Sequence, residues 1–184
     1  MQLTTARLLL RPWKPSDQEP FAELNADSRV MEFFPRRLTA KETSDFIARI
    51  QLGFEECGFG LWAAELAKTG EFIGFIGLWS PRFEAHFTPC VEIGWRLAHQ
   101  YWGQGYAPEG AKEALRAGFE DFGLKEIVSM TATLNERSMR VMEKIGMTRN
   151  QADDFLHPVL EDGDRLKPHV LYRLSKEDWQ KRTA

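Results

Sequence analysis

Between Gln100 and Ala107 the chain reads Gln-Tyr-Trp-Gly-Gln-Gly-Tyr-Ala, set between an apolar run from Val91 to Leu97 and a helix-like run that begins at Ala107. Glycines at 103 and 105 let the backbone come into contact with a ligand, and the helix behind them offers unpaired amides and a partial positive charge. That combination suits a pyrophosphate or a similar anion. Two glycines also make a tight strand-to-helix turn without any ligand, so the local sequence leaves both readings open. Two other phosphate readings weaken. A Walker loop needs Gly-Lys-Ser/Thr, which is absent, and a dinucleotide fingerprint needs glycine at 108, where Pro108 stands. His86, His99, His157 and His169 show no metal-ligand spacing, so no metal is expected and each reads as a surface or loop residue. Cys57 and Cys90 lack both a C-x-x-C pattern and a nearby histidine, and read as two buried thiols.

The elements that must position this turn follow from periodicity. Leu8 to Leu10, halted by Pro12, reads as an opening strand. Ser16 with Glu19, and Thr39 with Glu42, have the form of capping boxes for two amphipathic helices, the first burying Phe21 and Leu24, the second carrying Phe46, Ile47, Ile50 and Phe54. Leu61 to Glu65 and Glu71 to Leu78 read as a hairpin, and Val91 to Leu97 as a strand with a charge at its second position. From Ala107, small and apolar residues recur at three- and four-residue intervals up to a stop at Gly123. Ile127 to Thr133 alternates as a strand, Asn135 caps a short helix that closes at Gly146, and His169 to Leu174 forms the last strand. This order predicts a mixed α/β sheet with helices on its faces.

The 184 residues suit one domain spanning 1–184, and thirteen Phe and six Trp supply a real core. A net charge of −3 gives no basic field for a nucleic-acid backbone. The longest apolar run, Phe72 to Trp79, is far short of the roughly 18 residues of a membrane span, and no targeting segment stands at the N-terminus, so the expectation is a cytoplasmic protein with no membrane partner.

The run Gln100-x-x-Gly103-x-Gly105-x-Ala107 resembles the acyl-CoA signature of the GNAT superfamily of N-acetyltransferases. Thr5-Ala6-Arg7-Leu8, Glu92-Ile93-Gly94-Trp95, Thr133 to Ser138 and Lys144 to Met147 are similar to its RimJ/RimL branch, which includes acetyltransferases of ribosomal-protein N-termini. The resemblance implies a GNAT-like mixed, mostly antiparallel sheet with helices on both faces and a splayed pair of central strands. It implies acetyl-CoA as co-substrate, with pantetheine paired to backbone near Trp95 and Leu97 and pyrophosphate on amides from Trp102 through Gly103, Gln104, Gly105 and Tyr106 to Ala107, behind Gln100. Asn135 matches an asparagine that contacts pantetheine, and also reads as a plain N-cap.

Transfer of acetyl to an amine needs a base, because an amine of pKa about 10 is mostly protonated at neutral pH. Glu92 matches a family general-base position; as a bare sequence position it is equally a solvated or paired strand residue. The family's usual acid for the departing thiolate, a tyrosine, is replaced here by Met142, which cannot donate. Ser138 matches a serine with that role in the RimL branch, and reads otherwise as a first-turn serine. The implied acceptor is a primary amine, a protein N-terminus first. The alternatives are a small-molecule amine such as an aminoglycoside or polyamine, or an acyl-CoA-binding domain without turnover, in a monomer or homodimer. Asp153, Asp154, Glu161, Asp162 and Asp164 in the loop before the last strand either draw cationic or neutral amines in preference to acidic ones, or form a solvated edge.

Overall fold

The computed structural model describes residues 1–183 and is organised around one sheet. In chain order its elements are β1 (Leu3–Thr4), β2 (Leu8–Arg11), α1 (Gln18–Ala26), α2 (Ala40–Cys57), β3 (Leu61–Leu66), β4 (Phe72–Trp79), β5 (Glu92–Leu97), α3 (Tyr106–Glu120), β6 (Glu126–Ala132), α4 (Glu136–Lys144), β7 (Thr148–Arg149), β8 (Phe155–Leu156), β9 (Pro168–Ser175) and α5 (Lys176–Thr183). The strands lie in the order β1-β2-β3-β4-β5-β6-β9-β7, with β8 also on β9. Every pair is antiparallel except β5 with β6. Helices α1 and α2 bury Phe21, Leu24 and Ile50 against Trp13, Ala63 and Phe75 on one face. On the other face Ala111, Phe119 and Met142 pack on Ile76, Leu78, Ile93 and Ile127. The expected mixed sheet with helices on both faces is therefore present.

Local differences have local causes. Thr39 and Glu42 do form the reciprocal capping box of α2, with Thr39 N donating to Glu42 Oε2 at 2.9 Å and Glu42 N to Thr39 Oγ1 at 3.2 Å. Ser16 does not cap α1. Asp17 stands at the N-cap position but makes no side-chain bond to α1; its carboxylate closes the preceding 3-10 turn by accepting from Lys14 N at 2.7 Å and meets the buried Arg11 guanidinium through two bonds of 2.7 and 2.8 Å. Arg11 reaches Glu65 as well, at 2.5 Å, so one cation ties β2 to β3 and to the entry of α1. Helix α5 was not legible as apolar periodicity: it is strongly polar, and its Trp179 packs inward, the ring 5.4 Å from that of Phe119. Helix α3 stops at Glu120, before Gly123. Cys57 is exposed and Cys90 half-buried, against the expectation of two buried thiols.

The feature that positions the site is a divergence in mid-sheet. Strand β5 stays paired with β4 from Trp79 opposite Glu92 to Gly74 opposite Leu97, while β6 stays with β9 from Glu126 opposite Ser175 to Ala132 opposite His169. Between β5 and β6 there is one register pair, Glu92 with Val128, closed by Val128 N to Val91 O at 2.9 Å and by Ser129 Oγ to Ile93 O at 2.9 Å. Beyond it the strands splay, as expected. Gly74, at φ 135°, lies opposite the far end of β5, and a Cβ there would stand 2.1 Å from Arg96 O, so only glycine lets β4 approach β5 this closely.

Removing Asp17 leaves Arg11 buried beside Glu65 alone. Asp17→Ala is expected to cost about 3–5 kcal/mol of stability, read as a lowered urea midpoint with an unchanged slope.

Candidate active site

The gap between β5 and β6 opens into a cavity of about 760 Å³ that runs from the glycine turn past the splayed strands to the face covered by α1 and α2. In β5 the odd-numbered residues turn their backbone groups towards β6, as Val91 O and Ile93 O do, whereas Ala98 N turns to Ile73 O beside β4. Trp95 therefore presents N–H and C=O to the gap, and Leu97 its N–H. The carbonyl of Leu97 is taken by the Trp102 indole at 2.8 Å. The open edge of β5 is thus suited to pair with an extended amide-bearing chain.

At the mouth, Gly103 and Gly105 have φ of 74° and 82°, and Gly105 is the residue from which α3 starts. Among the described residues, no backbone amide from Gly103 to Ala107 has a protein acceptor, and Pro108 has none to offer. Five orphan donors at a helix start form an anion cradle. Trp102 differs from expectation, because its amide is spent on His99 O at 3.1 Å. Gln100 and Gln104 stand outside the cavity and brace the turn, Gln104 Nε2 donating to Gln100 O at 2.8 Å. Arg7, which is not among the expected site residues, donates to Gln104 O at 3.0 Å and pairs with Glu109 in the first turn of α3.

Glu92 lines the cavity at the point where β5 and β6 part, and the accessible part of its side chain faces that space. Burial pushes its carboxyl up from the ordinary 4.5 to about 8, while the backbone amide of Met130, freed by the splay, favours the charged form. Across the gap, Asn135 caps α4: its Oδ1 accepts from Ser138 N at 3.2 Å. Its Nδ2 donates to Thr131 Oγ1 at 2.9 Å and to Ser138 Oγ at 3.1 Å. Both amide hydrogens of Asn135 are thereby committed to protein, and Ser138, as an acceptor from Asn135, keeps its own hydroxyl hydrogen for the cavity it lines. Met142 is buried in the core of α4.

The far side of the cavity is aromatic and basic. Phe34, Phe46, Trp79 and Phe83 line it together with Arg96, His157 and His169. The His157 and His169 rings lie 4.8 Å apart, and burial lowers both pKa values, that of His169 to about 4, so both are neutral at pH 7. His157 lies in a loop, as expected, and lines the cavity from there, whereas His169 is a cavity residue of β9 rather than the surface or loop residue expected from sequence. The acidic loop is corrected too. Asp153 pairs with Arg173, Asp154 with Arg149 and Asp162 with Lys167, while Asp164 accepts from Leu166 N at 2.8 Å. None of these residues, nor Glu161, lines the cavity, where Glu92 is the sole acidic side chain among the described residues. Sequence reading missed Arg96, Ser129 and His169. The alternation Glu92-x-Gly94-x-Arg96, which puts three residues on one strand face, was the available signal for the first.

Among the described residues no helix is long and apolar enough to cross a membrane, and no group of three His, Cys, Asp or Glu could hold a metal. Comparison with known proteins places this geometry. The family model described as acetyltransferase (GNAT) domain matches residues 7–148. The chain is 32% identical over 192 aligned residues to the FsC-acetyl coenzyme A-N(2)-transacetylase of Aspergillus fumigatus, covering 96% of this chain and 77% of that protein. It is 30% identical to the uncharacterized N-acetyltransferase YnaD of Bacillus subtilis, covering 97% of this chain and 99% of that one. A crystal structure of a GNAT-family acetyltransferase from Bacillus anthracis superposes with a TM-score of 0.79 at 28% identity, over 96% of this chain and 99% of that one.

A carboxyl whose pKa is raised on folding holds its proton more tightly in the native state, so its contribution to stability is lost as pH climbs from about 4.5 towards 8. Glu92→Gln, which cannot ionise, is expected to melt like the wild type near pH 4. It should gain on the wild type through that window and keep a constant advantage above pH 8, as followed by melting temperature against pH.

Proposed function

The chain belongs to the GNAT acetyltransferase family and is an acetyl-CoA-dependent N-acetyltransferase, and from that premise we propose that it moves the acetyl group directly to a primary amine held in the aromatic part of the cavity. Acetyl-CoA supplies an activated acyl thioester. The residues fit it: five free amides for the pyrophosphate at Gly103 to Ala107, and the open edge of β5 at Trp95 and Leu97 for the pantetheine amides. The observation that carries the reading is that this cradle, this edge and Glu92 all border one continuous cavity.

In this reading Glu92 takes the proton of the incoming ammonium, for which its raised pKa is suited, since a base works best with a pKa near the working pH. Ser138 donates its hydroxyl hydrogen to the departing sulfur, held in place by Asn135. Asn135 acts by positioning, because both its amide hydrogens serve Thr131 and Ser138. Gln100 and Gln104 support the turn, and Trp102 fixes the end of β5 through its indole. The name of the Aspergillus relative specifies an N(2) nitrogen, which supports an amine acceptor for this chain. The resemblance to the RimJ/RimL branch suggests the N-terminus of a protein. The aromatic walls around the acceptor space favour instead a compact small-molecule amine, whose body the rings of Phe34, Phe46 and Phe83 would cover.

Two measurements test this reading. Acetyl-CoA should raise the melting temperature of the wild type, and Gly105→Glu should abolish the rise, because it adds a carboxylate at a positive-φ position inside the anion cradle. In a thiol-release assay over a panel of amines, wild-type kcat/KM should climb with pH through an inflection near 8 that Glu92→Gln removes. Ser138→Ala should lower kcat by about a hundredfold with little change in acetyl-CoA affinity.

A further inference from the structure

Arg11 is buried and Arg96 half-buried with its Nε fully enclosed, and the two are treated differently. Arg11 is matched by Asp17 and Glu65. Arg96 has no carboxylate partner among the described residues. Its Nη1 donates to Asn25 Oδ1 at 2.7 Å, and its Nε is buried with no partner at all. The guanidinium lies 4.0 Å over the ring of Phe34, with Phe75 and Phe46 at 5.4 and 5.6 Å, so it is collared by π-faces that stabilise a cation without neutralising it. Burial lowers its pKa, yet a guanidinium stays charged at neutral pH.

Its orientation is built. The buried Thr43 of α2 accepts from Nδ2 of the buried Asn25 of α1 at 3.1 Å, which turns Asn25 Oδ1 towards Arg96. Two helices thus fix a cation that lines the cavity, with its Nε buried and Nη groups left over from the bond to Asn25. Glu92, Gly94 and Arg96 share one face of β5, which puts the Cα atoms of Glu92 and Arg96 about 13 Å apart. Between them a Cβ on Gly94 would meet nothing within 4 Å, so a floor without side chain separates the base from the cation. A cation withdrawn from water and left unpaired is costly to the fold unless an anion completes it, and Glu92, the only acid in the lining among the described residues, is the proposed base.

We propose that Arg96 is the anion-binding subsite of the acceptor pocket and that the acceptor is a primary amine carrying a carboxylate a few bonds from its nitrogen. The ammonium lies at the Glu92 end of the Gly94 floor and the carboxylate takes the free guanidinium donors. This deepens the acetyl-transfer reading and rests on it for the amine, whereas the carboxylate subsite is open to test by binding alone. The carboxylate belongs to a free amino acid, or to an acidic first residue of a peptide.

The test uses α-, β- and γ-amino acids beside their amides, and peptides beginning with Asp or Glu beside Asn or Gln. Each is assayed by thiol release with the wild type, Arg96→Gln and Arg96→Lys. The carboxylate form should exceed its amide at least tenfold in kcat/KM for the preferred pair. Arg96→Gln should bring that ratio to within twofold, Arg96→Lys should restore part of it, and the acetyl-CoA response in melting temperature should persist in both. Preference among free amino acids or among peptides tells the two sources apart. Equal use of carboxylates and amides by the wild type, or an equal loss on all acceptors in Arg96→Gln, overturns the proposal. If no amine is acetylated, the same carboxylates are titrated calorimetrically into the CoA-bound protein. Binding that Arg96→Gln abolishes keeps the subsite while the acetyl-transfer reading fails, and no binding overturns the subsite too.

Discussion

Everything at the site depends on one failure of pairing. A strand has two hydrogen-bonding edges, and β5 and β6 each give one edge fully to an outer neighbour whose direction they must follow. They therefore meet only at Glu92 and Val128, and the backbone groups beyond that point have no partner strand. In a closed sheet such groups would be satisfied within the protein; here they line a cavity where a ligand's amides can take the same bonds. The carboxyl of Glu92 stands at the fork, against the amide of Met130 that the lost pairing released.

The glycine turn follows from the same geometry. Because β5 stays paired with β4 to its end and α3 packs back on the sheet, the chain must turn sharply to enter α3, and positive-φ glycines at 103 and 105 make that turn while exposing five amides in series. Surrounding residues hold the turn from outside, with Gln104 bonded to Gln100 and Arg7 clamped between Gln104 and Glu109. Cradle and strand edge are thus two consequences of one divergence.

Charge in the cavity obeys a separate economy. Acidic residues outside it are bound to cations of β7, β9 and the preceding loop, which rigidifies that side and withdraws its negative field from the pocket. Inside, desolvation keeps Glu92 protonated into the neutral range, while Arg96 stands in the lining without a carboxylate partner among the described residues. The same physical term, loss of water, prepares a carboxyl to receive a proton and a guanidinium to receive an anion.

Residue types and local spacing sufficed for what local physics decides. The hairpin of β3 and β4, the Thr39 capping box, the glycine turn before α3 and the Asn135 cap are all set by a few neighbouring residues, so each is legible in the chain itself. Motif order extended this to the splayed sheet, the co-substrate and the candidate base. What stayed hidden depends on partners distant in sequence. Ser16 gives no cap because the turn before α1 is closed by Asp17, whose carboxylate is held by Arg11 of β2, and the tryptophan of α5 packs against α3. Arg96 is seated by Asn25, Phe34 and Phe46, some fifty to seventy positions earlier in the chain. Between recruiting surface and solvated edge, the two readings the acidic loop left open, folding decided by pairing Asp153, Asp154 and Asp162 with basic side chains. Spacing along a chain specifies which groups can face one another within a turn or a strand; which charges are left without water and without partners is decided only when the tertiary structure closes around them.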